Sequence, residues 1–264
     1  MTWIFWLRRV AFRMILGTVG ILLVLLLWQT GYKVYGAFVL PSVDETIKET
    51  GRMLCDHTFL LTVGITAMRA LTGFFCAIMT GSVLGVVCGH ISPLRQMVRP
   101  VVMIILGIPP IAWIVLALIW FGSGGGSAIL TVAISSFPLS FAAGLQGVLT
   151  RDPRLDEMAS SFGVSSWKRF RTVTYPHLIS YLLPAWSVTF GSAWKVTVMA
   201  ELLANSGGLG GEMATARALF DIPRIMALVM LLAGFSLFSE FVIIHPLREY
   251  MERWRKAGHQ VQFQ

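Results

Sequence analysis

Charged residues are scarce in this sequence. Only 13% of its 264 residues are Asp, Glu, Lys or Arg, while 56% are hydrophobic. A soluble domain carries roughly 25% charged residues, so this balance excludes an ordinary water-facing globule and indicates a chain that lives in lipid. Cysteine is nearly missing too. Cys55, Cys76 and Cys88 show no C-x-x-C spacing, and Cys76 and Cys88 fall inside an apolar stretch. Neither a zinc site nor a disulfide framework is expected, and all three read as small core residues. His57, His90, His177 and His245 lie near the ends of apolar stretches, with no pair at metal-ligand spacing. No G-x-x-x-x-G-K-[ST] run occurs, so the chain has no phosphate-cradling loop of its own. No nucleophile–base constellation stands out, which argues against a membrane-embedded enzyme. Scattered Ser and Thr within apolar stretches bond back to their own helix more often than they react. No basic cluster is interleaved with a soluble module, so nucleic acid is not an expected partner.

What is present is a set of long apolar runs. A span needs about 20 mostly apolar residues. Six stretches qualify: near Val10–Trp28, Phe59–His90, Val101–Phe121, Ala128–Leu149, Leu178–Ala204 and Ile225–His245. The first is long for a signal peptide and no A-x-A-like site follows Trp28, so it is kept as an uncleaved span. The expected fold is an all-α integral membrane protein with about six transmembrane helices.

Basic residues set the expected orientation. With the N-terminus in the cytoplasm, fourteen fall on the inner side: Arg8, Arg9, Arg13, Arg95, Arg99, Arg151, Arg154, Lys168, Arg169, Arg171, Arg248, Arg253, Arg255 and Lys256. Five fall outside: Lys33, Lys48, Arg52, Arg217 and Arg224. Both termini are therefore expected to be cytoplasmic. Topology and lipid headgroups suffice to explain most of these clusters.

Span two carries Gly73, Ala77, Gly81, Gly85 and Gly89 at four-residue spacing. In lipid, apolar burial cannot drive helix association, and small residues let backbones approach closely. The stripe predicts a tight helix–helix seam, within one chain or between two. Pro109-Pro110 should kink or break span three near its middle, and Pro184 should do the same in span five. Ser123-Gly124-Gly125-Gly126-Ser127 reads as an outer turn. Asn205–Pro223 is too polar to span; its glycines suggest a loop dipping back toward the membrane or a plain connector.

The loop between spans four and five is different in kind. Asp152 suits an N-cap and Pro153 the first helical position. The helix that follows sets Leu155, Met158, Ala159 and Phe162 on one face. Gly163 can take the left-handed conformation that ends a helix. Ser165 can cap a second short helix carrying Trp167, Phe170 and Val173, which Tyr175-Pro176 closes before span five. The product is a helix-turn-helix knob with an apolar stripe, suited either to a docking partner or to lying on the headgroups.

Glu157, Ala159, Gly163, Val173 and Pro176 match in spacing the pattern E-A-A, three residues, G, nine residues, I-x-L-P. In this respect the chain resembles the permease subunits of bacterial ABC importers, whose coupling loop carries that motif. Met158, Val173 and Tyr175 replace alanine, isoleucine and leucine. His57-Thr58, Arg69-Ala70-Leu71-Thr72-Gly73-Phe74, Ile108-Pro109-Pro110-Ile111-Ala112-Trp113, Ile119-Trp120-Phe121-Gly122, Ala193-Trp194-Lys195, Ala200-Glu201-Leu202-Leu203 and Gly208-Leu209-Gly210 are similar to the nitrate/sulfonate/taurine-type branch. The resemblance runs from about His57 to Arg255. It implies a segment 1–55 holding the first helix and an outer loop, a permease domain over 56–250 and a cytoplasmic tail over 251–264.

It further implies a multi-pass protein of the bacterial inner membrane, paired with a second permease copy, usually as a homodimer. Two cytoplasmic ATPase subunits would hold the ATP and magnesium, leaving no cofactor on this chain. A periplasmic or lipid-anchored binding protein would deliver the substrate. The coupling loop (Leu155, Glu157, Met158, Ala159, Phe162, Gly163, Val173, Pro176) would dock on the ATPase, and access to the pathway would alternate. The expected substrate is a small polar organic molecule or an anion such as a sulfonate, taurine or nitrate. A self-sufficient secondary transporter or channel is the alternative, against which stand the lack of an inverted hydropathy repeat and the few in-membrane carboxylates.

Two cations fall inside spans. A charge at the bilayer centre costs about 2.5–3.5 kcal/mol on insertion scales, so Arg69 and Lys195 should face a cavity or a partner. Either they line the substrate pathway, with Trp194 and Glu201, or they are structural, for example as an Arg69–Glu201 pair.

Overall fold

The computed structural model describes residues 2–244 and 246, and among them the chain is helical throughout, with no strand. In order, the helices are α1 (Thr2–Tyr35), α2 (Val43–Cys55), α3 (His57–His90), α4 (Ser92–Gly107), α5 (Pro110–Phe121), α6 (Gly125–Leu149), α7 (Pro153–Ser161), α8 (Ser166–Arg169), α9 (Tyr175–Ala204), α10 (Gly208–Ala218) and α11 (Ile222–Phe238). Wider π turns follow α8 at Phe170–Thr174 and α11 at Ser239–Ile244. The tail over 251–264, His245 at the end of the expected sixth span and the side chain of Leu155 lie outside the described residues.

By length and composition, Leu16–Tyr35 of α1, α3 and α6 can each cross a membrane, and α4 with α5 makes a fourth if the bent pair is one span. The two halves of that pair meet at 97°. The break sits at Ile108-Pro109, where the sequence placed it: Pro109 is extended at ψ 144°, and Pro110 restarts the helix at a position that needs no N–H donor. α9 is long enough at 30 residues, but Ser187, Thr189, Ser192, Lys195 and Thr197 dilute its apolar run. α11 has 17 residues and falls just short.

Three expectations need correction. α9 runs unbroken through Pro184. Proline costs a helix one N–H donor, here the one that would reach the Ser180 carbonyl, and helices packed in a membrane protein tolerate that loss. The glycine-rich outer stretch is neither a plain connector nor an open loop, because Gly208–Ala218 is helical. Only Cys88 of the three cysteines is buried.

The chain divides into two compact units. One holds Met1–Leu60 and Thr215–Leu232. There Ser42 and Glu45 form a reciprocal capping box at the start of α2. Trp28 Nε1 donates to the Pro41 carbonyl at 2.9 Å, fixing the turn between α1 and α2.

The other unit holds Leu61–Ala214 and Ala233–Gln264. Its centre is α6. Phe74 and Ile78 of α3 pack with Val132 of α6 and Ala193 of α9. Cys88 and Val102 meet Phe141 and Leu145 of α6. Ile114 of α5 meets Ala128 and Ala200. The small-residue stripe of α3 is the seam with α6: a Cβ on Gly73 would stand 2.6 Å from Val132 Cβ, and one on Gly81 2.7 Å from the Phe137 carbonyl. A Cβ on Gly85 would strike the Phe141 carbonyl, and one on Gly89 the Val148 side chain at 2.5 Å. Ala77 is fully buried, and Gly144 returns the fit from α6 against the Ser82 carbonyl at 2.7 Å. Van der Waals contact between backbones holds this seam, as expected where lipid removes the hydrophobic driving force.

Candidate functional site

Two sites emerge from the residues singled out above. The first is the loop between α6 and α9. Asp152 accepts from the Arg154 N–H at 2.9 Å, and Pro153 opens α7. At the other end Gly163 takes φ +63°. Its N–H donates to the Ser160 carbonyl at 3.0 Å, and the Val164 N–H reaches the Ala159 carbonyl at 3.0 Å. This 5→2 and 6→1 pairing is the Schellman stop, and it satisfies two carbonyls the helix end would orphan. Ser165 Oγ then accepts from Lys168 N–H at 3.4 Å to start α8. Arg169 Nη1 donates to Ser160 Oγ at 3.2 Å, tying α8 back onto α7.

The knob is thus rigid by local bonding, and what it exposes is apolar. Phe162 is 79% exposed, Trp167 72% and Met158 55%. Trp167 stacks on Phe170 at 5.9 Å, and Phe170 leans on Tyr175 at 6.3 Å. Glu157, Gly163 and Pro176 are exposed and Val173 half-buried. Two details differ from the sequence reading. Ala159 is buried, so the exposed stripe runs through Met158 and Phe162, one helical turn apart, with Ala159 turned inward. Tyr175-Pro176 does not close the second helix: α8, its π turn and α9 run on continuously, and Pro176 sits in the first turn of α9. In a run continuous at this point Pro176 withholds one N–H from the turn before it, and the wider π turn at Phe170–Thr174 lies there.

The second site lies within the membrane-length helices. Arg69 of α3 and Glu201 of α9 form an ion pair, Nη1 to Oε1 at 2.8 Å, with side-chain exposures of 17% and 0%. Glu201 is further satisfied by Thr66 Oγ1 at 2.8 Å and the Gly210 N–H at 3.2 Å, both on Oε2. Thr66 Oγ1 also accepts from the Leu209 N–H at 2.8 Å. Leu209 and Gly210 are in the first turn of α10, whose N–H groups have no partner in their own helix. A carboxylate from α9 and a hydroxyl from α3 therefore cap α10 from outside, where the helix dipole favours negative charge. The second Arg69 nitrogen, Nη2, donates to the Ser206 carbonyl at 3.0 Å.

Space at this hub is tight. A Cβ on Gly125 would stand 2.6 Å from Arg69 Nε, and a Cβ on Gly208 would overlap the Glu201 carboxylate. Asn205 in the left-handed conformation and Gly207 at φ +72° turn the chain from α9 into α10. A buried charge is tolerated when it is paired and hydrogen-bonded; here Glu201 accepts three hydrogen bonds and Arg69 donates two.

The four residues grouped from the sequence as pathway candidates thus separate. Arg69 and Glu201 satisfy one another. Trp194 is buried and stacks on Phe235 with ring centroids 4.0 Å apart. It lines a pocket of about 90 Å³ with Ala67, Ala70, Leu71, Phe190 and Ser239. Lys195 lies on the exposed side of α9. Thr66, Ser206 and the α10 amides were missed. Thr66 was findable, since it stands three residues before Arg69 on one face of α3.

Comparison with known proteins agrees with this architecture. Residues 81–256 match the family model described as the binding-protein-dependent transport system inner membrane component. The riboflavin transport system permease protein of Chloroflexus aurantiacus is 29% identical over 241 residues, covering 90% of each chain. The taurine transport system permease protein of Escherichia coli is 23% identical over 223 residues, 83% of this chain and 81% of that one. Among solved structures, the MetNI methionine ABC transporter in an inward-facing conformation superposes with a TM-score of 0.57 at 20% identity, covering 71% of this chain and 92% of that one. The chain belongs to the binding-protein-dependent transport system inner membrane component family, in its nitrate, sulfonate and taurine branch, and is the multi-pass inner-membrane permease subunit of an ABC importer.

Proposed function

We propose that this permease moves its substrate by alternating access, driven by ATP hydrolysed on two separate cytoplasmic ATPase subunits and transmitted through α7 and α8. The carrying observation is the knob: a short helix, α7, fixed at both ends by side-chain and backbone caps, which together with α8 presents Met158, Phe162 and Trp167 to solvent. Exposed aromatic and apolar side chains on a rigid support are what a docking cleft recognises. Rigidity matters because the element must pass a push from the ATPase to α9 without absorbing it. The continuous run from α8 through its π turn into α9 supports such transmission.

ATP and magnesium would sit on the partner. A periplasmic or lipid-anchored binding protein would load a homodimer of permeases, each with six spans and both termini in the cytoplasm, counting α9 and α11 as spans. The substrate is a small polar molecule or anion. With the charge of Arg69 balanced by Glu201, Lys195 is the membrane cation left to attract it.

The test is crosslinking from Phe162→Cys in native membranes, followed by gentle solubilisation. An ATP-binding partner bearing a phosphate-loop motif should be trapped at Phe162→Cys and not at an outer-loop control such as Lys48→Cys. A purified chain that transports with no ATPase present would overturn the proposal in favour of a self-sufficient transporter.

A further inference from the structure

A groove of about 220 Å³ runs between α4 and α6, away from both sites above. Its floor is apolar and closed by Val102, Phe141 and Leu145, all buried. Met103 and Leu106 of α4 and Ala142 and Leu149 of α6 stand along its walls. Among the lining residues only two are polar, Arg99 and Gln146. Each lies close to basic residues of its own helix end: Arg99 stands one turn after Arg95, midway along α4, and Gln146 precedes Arg151 and Arg154 beyond α6. Arg99 is exposed and forms no ion pair among the described residues.

We propose that this groove holds an anionic phospholipid, its phosphate on Arg99 and Gln146 and one acyl chain laid over Val102, Phe141 and Leu145. Length and charge both select that occupant. From Pro138 to Leu149 the α6 wall spans twelve residues, about 16 Å over the rises between them at 1.5 Å each. One leaflet of a hydrocarbon core roughly 30 Å thick is about 15 Å deep. A guanidinium at the headgroup end of such a wall is the arrangement by which basic pockets between membrane helices take anionic headgroups. A second copy of this chain fits less well. A contact between copies across the groove would bury Arg99, which has no ion pair among the described residues, in a poorly hydrated seam at a large desolvation cost.

The test uses the full chain with the subunits it retains in mild detergent. The preparation is exchanged against equal phosphatidylglycerol and phosphatidylethanolamine, and the retained lipid is quantified by mass spectrometry. Wild type should retain phosphatidylglycerol in excess. Arg99→Gln should lower that retention about fivefold, the effect of one basic residue at a membrane surface. Ala142→Trp, which fills the groove, should displace lipid of either headgroup. Unchanged retention in both variants would overturn the assignment. A wild-type measurement guards against misfolded variants: phosphatidylglycerol with a photoactivatable acyl chain should label peptides covering residues 99–106 and 138–149. Labelling only elsewhere would overturn the assignment, and so would a disulfide between two copies at Ala142→Cys, which would place the second permease in the groove.

Discussion

Neutralising Glu201 exposes how much of this fold hangs on one buried carboxylate. Glu201→Gln preserves shape but leaves the Arg69 guanidinium without its counter-charge and turns an amide N–H₂ toward Arg69 or Thr66, both donors to the present carboxylate. Removing one partner of a buried pair costs about 3–5 kcal/mol. The Arg69 side chain keeps 17% of its surface open, which favours the lower end, about 3 kcal/mol. At about 2–4 °C per kcal/mol for a chain approaching this length, the apparent melting temperature should fall by roughly 6–12 °C. The assay is size-exclusion chromatography of a fluorescent fusion after graded heating, at one heating rate throughout because detergent-solubilised proteins unfold irreversibly. The decisive variant is the double Arg69→Met/Glu201→Leu. Replacing a buried pair by apolar residues of similar volume is often neutral or stabilising, so the double should lose clearly less than the two single variants together, while staying below wild type because the Gly210 N–H and the Ser206 carbonyl lose their partners. Single variants that move by less than 2 °C, or a double whose loss is the sum of the two, would refute the view that the pair is a mutually dependent structural unit.

Gly163→Pro cannot take φ +63° and also removes the N–H given to Ser160, a strain of about 1–3 kcal/mol; uptake into cells should fall to background while the membrane level of the protein, read by immunoblot, stays normal. Gly85→Leu drives a side chain into the Phe141 backbone, which cannot swing away, so overpacking at the upper end of about 1–3 kcal/mol should abolish the monodisperse peak, whereas Gly64→Leu, with open space around it, should not. Lys195→Ala should raise KM for an anionic substrate with little change in melting temperature, since the residue is exposed; unaltered uptake kinetics would remove Lys195 from the pathway.

Much of this protein follows from local chemistry. Lipid solvation makes every backbone group pair within its own helix, so apolar run length alone dictated an all-α membrane chain. Capping is equally local: Asp152, Pro153, Gly163 and Ser165 act within a few residues of themselves, and the structure places each at the helix end its chemistry demands. The Pro109-Pro110 break is legible for the same reason. What the tertiary structure alone decided involves partners distant in the chain. Arg69 and Glu201 are 132 residues apart. The sequence offered pairing and pathway lining as two uses of the same charges, and only the approach of α3 to α9 selects the first. α10 was unreadable because its first amides are capped by Glu201 and Thr66 from other helices, so its own glycine-rich start carries no helix signal. Pro184 behaves in the opposite way, a local breaker that the packed helix around it absorbs. Ala159 turns inward for a comparable reason: its neighbours, not its helical phase alone, determine which side of α7 meets water.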